Sequence, residues 1–326
     1  MEFRRALAVK KMKEPIRHRQ PILLIGSCFS EHIGEKLRAG KFRVLENPHG
    51  ILFNPVSIAT AIRAYIEKRV YTADELFELN ETWHSWDHHS RFSAPDPQAA
   101  LQKINDAVNE AHSFLQQTEW VIITLGSAFS YELAENNQPV ANCHKAPANI
   151  FRRKLLSVED VLAAMDNTIH RLRFFNPAIK VIFTISPVRH LREGMVENNR
   201  SKAVLIQAVH HLVDKFEGLY YFPAYELVID DLRDYRFYAE DMVHPNYQAT
   251  GYVWERLAES CFDEDTISLL EELRKTDLAY RHRPFNPETT QHKKFLQDQL
   301  TRTAALQKKY DYLDLSRELL YFAQGS

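Results

Sequence analysis

Long apolar runs are missing from this 326-residue sequence, and so is an excess of charge of one sign. The 41 Lys and Arg residues nearly balance the 43 Asp and Glu residues, so the net charge of −2 gives no reason to expect nucleic acid or an anionic membrane as a partner. Residues 1–20 are locally basic, as in a signal peptide, but the apolar run after them is too short for one, and no later stretch is long enough to span a bilayer. We therefore expect a cytoplasmic protein that binds neither nucleic acid nor a membrane.

Cysteine is scarce as well. The three cysteines, Cys28, Cys143 and Cys261, are odd in number and far apart, which argues against a disulfide scaffold and for reduced thiols. Internal repeats and low-complexity segments are also missing. With 45% hydrophobic residues, the composition is that of an ordinary globular protein with a substantial core.

Short apolar runs, rich in β-branched residues, predict the strands. They lie at 22–25, 119–126 and 179–186, with a fourth candidate at 219–225. Because the runs do not alternate with polar residues, both strand faces should be covered, as in a parallel sheet. Helical patterns separate or follow them at 31–39, 54–67, 97–116, 158–174, 200–217 and 247–262. The alternation predicts a doubly wound α/β sandwich.

The predicted inward faces of the last two helices serve as a check on this fold. They are Val204, Ala208, Leu212 and Phe216 in the first helix, and Tyr247, Gly251, Trp254 and Ala258 in the second.

The texture of the sequence changes after residue 262. Strand patterns end, and charged helical segments follow at 266–275 and 288–322. We expect a core domain over 1–262 and a helical C-terminal extension over 263–326. The segment 281–289 is either an ordered bridge between helices or part of a mobile tail.

Ligands of open α/β sheets bind beyond the carboxyl ends of the strands. Gly26, Ser27 and Cys28 follow the first predicted strand, Gly126 and Ser127 follow the second, and 186–190 follow the third. The sequence 241-DMVH-244 precedes the last core helix. Taken singly, each feature is more often structural: a tight turn, a helix cap or a buried thiol.

Together these features satisfy the needs of nucleophilic catalysis, which are an exposed nucleophile, a base and a group that orients the base. A turn before a helix presents Ser27 or Cys28, and the N–H groups of that helix favour a thiolate or an oxyanion. Asp241 and His244 are three residues apart, so the carboxylate can hold the imidazole in the productive tautomer.

The order of these motifs resembles the SGNH (GDSL-type) hydrolase superfamily, and GSCFS at 26–30 resembles the signature of the GSCFA-domain family within it. Further segments are similar to that family: NPHGILFNP (47–55), SWDHHSRFS (85–93), ITLGSAFSYE (123–132), NCHKAP (142–147), NNRSKAVL (198–205) and FYAEDMVHPN (237–246). The resemblance implies a flavodoxin-like three-layer sandwich and acyl-ester chemistry.

Residue by residue, the resemblance makes His244 the base, Asp241 its orienting acid and Gly50 the oxyanion-hole glycine. Ser27 falls where the superfamily has Asp, and Cys28 falls where it has the nucleophilic Ser. Cys28 is therefore the first choice of nucleophile and Ser27 the second, with a buried structural thiol as the alternative for Cys28.

The sequence departs from the superfamily at its Gly-x-Asn motif, which reads Gly126-Ser127-Ala128 here. The amide donor of the Asn is therefore missing from the expected oxyanion hole. The candidates to replace it, besides backbone groups alone, are Asn54, Asn142 and His144.

Residues 83–91 are dense in imidazole and indole groups. They are interpreted as the lining of a substrate pocket in which Arg91 binds an anionic group bidentately. A metal bound by Asp87, His88 and His89 is the alternative, less favoured because adjacent side chains of an extended segment point in opposite directions. Substrate contacts or supporting positions are also predicted from Asn142, His144 and Lys145.

Three hypotheses of function follow. The leading one is an esterase or O-acyltransferase, without metal or cofactor, that acts on an acylated small molecule or carbohydrate through a covalent acyl-enzyme. The second is metal-assisted hydrolysis at His88 and His89, with His144 or His190. The third is a non-catalytic protein that binds a carbohydrate or a protein on a degenerate hydrolase fold. The acyl donor and acceptor, the choice between hydrolysis and transfer, and the oligomeric state stay open.

Overall fold

A computed structural model describes residues 5–324, so residues 1–4 and 325–326 of the two predicted domains lie outside the described part. The strands, in chain order, are β1 (Ile22–Gly26), β2 (Val44–Glu46), β3 (Leu76–Leu79), β4 (Thr82–Ser85), β5 (Trp120–Leu125), β6 (Phe129–Leu133), β7 (Pro139–Val140), β8 (Phe151–Leu155), β9 (Lys180–Ile185) and β10 (Leu219–Phe222). The helices are α1 (Cys28–Ala39), α2 (Pro55–Glu67), α3 (Pro97–Leu115), α4 (Val158–Phe175), α5 (Met195–Lys215), α6 (Ala224–Glu226, continued as a π-helix over Leu227–Leu232), α7 (Tyr247–Cys261), α8 (Glu264–Arg281), α9 (Thr290–Lys309) and α10 (Ser316–Gln324).

Within the described residues, five strands form the central sheet in the order β10-β9-β5-β1-β2. Every pairing in this sheet is parallel. This is the strand order of flavodoxin-like doubly wound folds, in which ligands bind beyond the carboxyl ends of the strands. The predicted fold class is confirmed.

Both faces of the sheet are covered because alternate residues of each strand point to opposite sides. In β1, Leu23 and Ile25 pack in the cluster formed with α2, α4 and α5. Ile22 and Leu24 pack on the other side with α1, α6 and α7. Helices thus sandwich a sheet whose central strands are buried on both faces, which explains the uninterrupted apolar runs.

Two antiparallel additions lie outside the central sheet and were not predicted. The hairpin of β3 and β4 pairs Leu76 with Ser85, and a small sheet joins β6 to β7 and β8. These elements precede and follow α3 and β5 in the chain. They present the histidine-rich segment 85–91 and the segment 142–147 near each other.

The C-terminal region is helical, as expected, and it contacts the core. Glu318 of α10 forms an ion pair with Lys41 at 2.8 Å, and Asp311 pairs with Arg19 at 2.6 Å. The segment 282–289 connects α8 to α9 without regular structure, and the long helical pattern at 288–322 is two helices. Across residues 5–324, no helix combines the length and the apolar character needed to cross a membrane.

Candidate active site

The turn after β1 is shaped by Gly26, which has a positive φ of 145°. A Cβ atom at this position would lie 2.1 Å from the carbonyl oxygen of Thr124, so only glycine allows the end of β1 to approach β5 this closely. The Gly26 N–H donates to Oδ1 of Asn47 at 2.9 Å. The end of β1 is thereby fixed against both β5 and the loop 47–53.

Ser27 is the N-cap of α1. Its Oγ accepts a hydrogen bond from the Phe29 N–H at 3.3 Å, and its own N–H donates to Thr124 at 3.1 Å. The residue is only 1% exposed. Its hydroxyl therefore satisfies a helix end instead of facing solvent.

Cys28 is the first residue of α1, and it is partly exposed. Burial raises the pKa of its thiol, and the carboxylate of Glu31 adds to this increase. The backbone N–H groups at the start of the helix and the ammonium of Lys202 act in the opposite direction. The two candidate nucleophiles thus differ: Ser27 is a buried helix cap, and Cys28 is an accessible thiol.

The loop 47–53 lies beside this turn. The Gly50 N–H donates to the Asn47 carbonyl at 2.7 Å, so the donor that the family resemblance assigns to the oxyanion hole is used within its own turn. Asn54 is the N-cap of α2, with its Oδ1 and Nδ2 both bonded to Ser57 at 2.9 and 3.0 Å. One of its two amide N–H groups is thus engaged, and Asn54 as the replacement for the missing Asn stays a prediction.

Gly126 and Ser127 follow β5, as predicted, but their backbone donors face the protein. Both N–H groups donate to the Phe53 carbonyl, at 2.8 and 2.9 Å. The Ser127 hydroxyl accepts from the Phe129 N–H at 3.1 Å and lies 3.3 Å from the hydroxyl of Ser201. In this structure the two residues hold the loop 47–53 against β5, and substrate contact by them stays a prediction.

Lys202 of α5 was missed by sequence reasoning, although its segment belonged to the family resemblance. Its side chain is 1% exposed, and its Nζ donates to the carbonyls of Gly126 and Ser186 at 2.7 Å each. These carbonyls end the neighbouring strands β5 and β9. Burial lowers the pKa of Lys202 to about 7, and the charge of Cys28 acts to raise it. A buried amine that is only partly protonated near neutral pH is therefore built into the carboxyl edge of the sheet.

A second missed feature is an imidazole–carboxylate pair after β9. Nε2 of His190 lies 3.4 Å from Oε2 of the deeply buried side chain of Glu193. Burial lowers the pKa of His190; Glu193 acts to raise it, and Lys202 lowers it further. The ring of His190 also lies 6.0 Å from that of Phe53, which is exposed.

Asp241 and His244 form the pair that their spacing predicts. Nδ1 of His244 lies 2.6 Å from Oδ2 of Asp241, and the Val243 and His244 N–H groups donate to Oδ1 at 2.9 and 3.0 Å. These hydrogen bonds lower the pKa of Asp241 to about 2. Both side chains are nearly half exposed, so the pair is preorganised and open to solvent.

The carboxyl edge of the sheet gathers most of these groups. The ends of β1, β5 and β9 bring Cys28, Lys202 and His190 to one region, and the Arg189 N–H donates to the Val243 carbonyl at 3.2 Å. That bond attaches the loop of the Asp241–His244 pair to the segment after β9. In the part of the chain that the structure describes, no hydrogen bond joins Cys28 to His244.

His88 and His144 belong to a separate buried cluster. Nδ1 of His88 is 2.9 Å from the Ser85 hydroxyl, and its ring stacks on that of His49 at 4.0 Å. His144 donates from Nε2 to the Ser85 carbonyl at 2.8 Å and accepts at Nδ1 from Ser90 at 3.0 Å. With both ring nitrogens used, His144 has none left to replace the missing Asn.

The remaining predicted contacts are also bonded locally or exposed. The guanidinium of Arg91 donates to the Asn47 carbonyl, and Oδ1 of Asn142 accepts from the His144 N–H at 2.9 Å. Lys145 is exposed. Among the residues described, no three His, Cys, Asp or Glu side chains are grouped so that they could hold a metal ion. The alternative of a metal site at His88 and His89 therefore lacks a ligand set.

Two family models match the chain. The model of the GSCFA family matches residues 21–257. The chain belongs to the GSCFA family. A second model, of the GSCFA domain protein C-terminal domain, matches residues 268–325. The GSCFA match includes the turn after β1, the loop 47–53, Lys202 and the Asp241–His244 pair, and the predicted family is thereby confirmed.

Solved structures similar to this GSCFA protein share little sequence with it. A candidate platelet activating factor from Streptococcus pneumonia is 13% identical, with 75% of this chain and 85% of that chain covered and a TM-score of 0.40. A carbohydrate esterase family 3 protein from Talaromyces cellulolyticus is 10% identical, with 78% and 99% covered and a TM-score of 0.35. An acetyl esterase mutant with acetate ion is 12% identical, with 78% and 99% covered and a TM-score of 0.34. No curated protein matches the chain.

Proposed function

We propose that this protein is a thiol-dependent esterase or O-acyltransferase whose nucleophile is Cys28. The observation that carries the proposal is the contrast at the end of β1. Ser27 is buried and caps α1, whereas Cys28 is partly exposed at the first position of the same helix. The N–H groups of the helix N-terminus favour the thiolate, which is the reactive form, although burial and Glu31 together keep the pKa of the Cys28 thiol above its usual value.

The reaction has two steps. The sulfur of Cys28 attacks the carbonyl carbon of an acyl ester; a C–S bond forms, the C–O bond to the alcohol breaks, and the thiol proton ends on the departing alcohol. Water or a second alcohol then attacks the thioester and releases the thiol. The Cys28 N–H, at the first position of α1, is the candidate oxyanion donor, since the N–H groups of Ser27, Phe29, Gly50, Gly126 and Ser127 are used within the fold.

His244 is the proposed carrier of the proton. Asp241 holds Nδ1 of its ring, so Nε2 is the nitrogen that can accept and return a proton. Catalytic hydrogen bonds are often long without substrate and tighten in the complex. We therefore expect the imidazole to approach Cys28 when an ester is bound.

His190 is the competing base. Its partner Glu193 is buried, and the ring interacts electrostatically with Lys202, which also acts on Cys28. Comparing His190→Gln with His244→Gln separates the two assignments. The base is the residue whose loss lowers kcat by roughly 10²-fold or more, the usual contribution of general acid–base catalysis.

The test of the function is direct trapping of the acyl-enzyme. The wild-type protein, Cys28→Ala and Cys143→Ala are mixed with aryl acetates and with acetylated sugars; alcohol release is followed, and peptides are mapped by mass spectrometry. We expect acetyl on the Cys28 peptide, normal turnover in Cys143→Ala and none in Cys28→Ala. Turnover that survives in Cys28→Ala would overturn the proposal.

A non-catalytic binding protein is the second candidate. The observation in its favour is that the backbone N–H groups of Gly50, Gly126 and Ser127 are occupied and that the amide of the superfamily's Gly-x-Asn motif is missing. It requires an unreactive Cys28. Fast stoichiometric alkylation of Cys28 near neutral pH would argue against it, and complete resistance to alkylation would favour it.

A further inference from the structure

Lys202 is an ammonium group buried without a carboxylate partner. Within residues 5–324, no ion pair includes it, and its nearest polar partners are two carbonyl oxygens at 2.7 Å. An ammonium has three donors, so one N–H remains beyond those that bond the Gly126 and Ser186 carbonyls. Burying such a charge is costly unless other groups compensate for it.

Lys202 lies close to the turn that carries Cys28, because it binds the carbonyl of Gly126, and a Cβ at Gly126 would lie only 3.2 Å from Cβ of Ser27. Cys28 is the thiol beside this ammonium. The charge of Cys28 raises the pKa of Lys202, and the charge of Lys202 lowers the pKa of Cys28. The two effects have a single origin, the attraction between a thiolate and an ammonium in a poorly solvated region.

We infer that Lys202 is a positioning residue for Cys28: its ammonium stabilises the thiolate, and its two carbonyl contacts hold the ends of β5 and β9 together at the site. This deepens the proposed function, on which it rests, by assigning the group that sets the reactivity of the nucleophile. Two side chains would then assist Cys28: the ammonium of Lys202 in α5, which stabilises the thiolate, and the imidazole of His244, which carries the proton.

Other charges around Cys28 and Lys202 also affect the ionisation of these two groups. On its own helix, Glu31 opposes ionisation of Cys28, and the N–H groups of the first turn favour it. From the segment after β9, protonated His190 would repel the Lys202 ammonium. The ring of Tyr225 lies 5.8 Å from Nζ of Lys202 and offers its face to the cation. Lys202 is the cation among these groups that directly favours the thiolate.

The experiment measures the alkylation rate of Cys28 by iodoacetamide from pH 6 to 10, with the modified peptide quantified by mass spectrometry. Lys202→Met removes the charge, Lys202→Arg keeps it, and Lys215→Met is the matched control, since Lys215 lies at the exposed end of the same helix. Because Lys202→Met removes an adjacent opposite charge, the midpoint of the pH dependence of Cys28 alkylation should rise by about 1 pH unit. Alkylation at neutral pH should then slow about tenfold in Lys202→Met.

The alkylation rate of Cys28 in Lys202→Arg should stay within about threefold of the wild-type rate, and the rate in Lys215→Met should equal the wild-type rate. A folded Lys202→Met protein with the wild-type rate and midpoint would overturn the inference. Should Lys202→Met fail to fold, Lys202→Gln takes its place, because its amide can still bond one carbonyl. Slow alkylation in Lys202→Gln supports the inference, and wild-type alkylation in it overturns the inference.

This measurement needs no ester. Failure of the acyl-transfer proposal would appear as turnover that is independent of Cys28, whatever the alkylation profile. Failure of the Lys202 inference would appear as an unchanged alkylation midpoint, even in a protein that forms the acyl-enzyme. The two outcomes are therefore distinguishable.

Discussion

The hydroxyl of Ser27 accepts a hydrogen bond from the backbone N–H of Phe29. This contact separates the roles of the two adjacent candidates, since a side chain that caps a helix from a buried position is poorly placed to attack a substrate. We expect Ser27→Ala to lower the free energy of unfolding by about 1 kcal/mol, the usual cost of a lost N-cap. Ester turnover by the folded protein should stay within about threefold.

Urea titration and turnover assays check this prediction. Ser113→Ala is the matched control, since Ser113 is exposed on α3 and its hydroxyl bonds only the Asn109 carbonyl of its own helix. Loss of all turnover in a fully folded Ser27→Ala protein would instead make Ser27 the nucleophile.

Asp241→Asn should lower kcat while leaving the fold intact. The carboxylate is ionised above about pH 2 and holds Nδ1 of His244, so it both fixes the tautomer and stabilises the imidazolium. An amide keeps the size but loses the charge. We expect a loss of roughly 10²-fold or more, measured as turnover of the best ester found. Asp214→Asn, at an exposed position of α5, is the control and should have no effect.

The core of the fold was predictable because the central strands are buried on both faces. The run 22–25 is entirely apolar, and in 179–186 the residues between Lys180 and Thr184 are apolar, which leaves few alternatives to a covered parallel strand. The short strands β2, β3 and β4 gave no such pattern, since their residues are mostly half-buried and mix polar with apolar types. Their pairing depends on neighbours distant in the sequence.

Helix faces were less predictable than helix positions. In α7 the predicted inward residue Tyr247 is 82% exposed, and the buried face instead carries Val253 and Leu257. The large aromatic ring at the helix start misled the assignment, because such rings also lie on surfaces. In α5 the predicted inward face did not include Lys202, which lies on the buried stripe with Leu205 and Val209.

Local motifs of the site could be predicted from the sequence, but contacts between distant segments could not. Spacing alone predicted the Asp241–His244 pair, because one turn brings the two residues together. A charged residue in register with apolar ones was the signal that would have identified Lys202. The carbonyls that Lys202 binds come from two other strand ends, and no local pattern encodes their approach.

Gly50 and Gly251 should respond in opposite ways to alanine. A Cβ at Gly50 would lie 2.1 Å from Cβ of His89, and its φ is +81°, so Gly50→Ala should destabilise the protein by more than about 2 kcal/mol and displace the loop 47–53. A Cβ at Gly251 meets no atom within 4 Å, and the residue lies inside α7. Gly251→Ala should therefore stabilise by about 0.5–1 kcal/mol. Thermal and urea unfolding of both variants tests this prediction. Equal changes in the free energy of unfolding for Gly50→Ala and Gly251→Ala would contradict it.

His144 should make the protein sensitive to acid. Burial lowers its pKa to about 4, while an unfolded chain has a His pKa near 6.5. Between these values the unfolded state binds a proton that the folded state rejects, so stability is fully present above about pH 6.5 and is lost as the pH falls towards 4. The contribution of this residue is on the order of 3 kcal/mol. Urea titrations of wild type and His144→Gln across this range should show a smaller pH slope in the variant. Parallel curves for wild type and His144→Gln would show that the buried imidazole does not resist protonation.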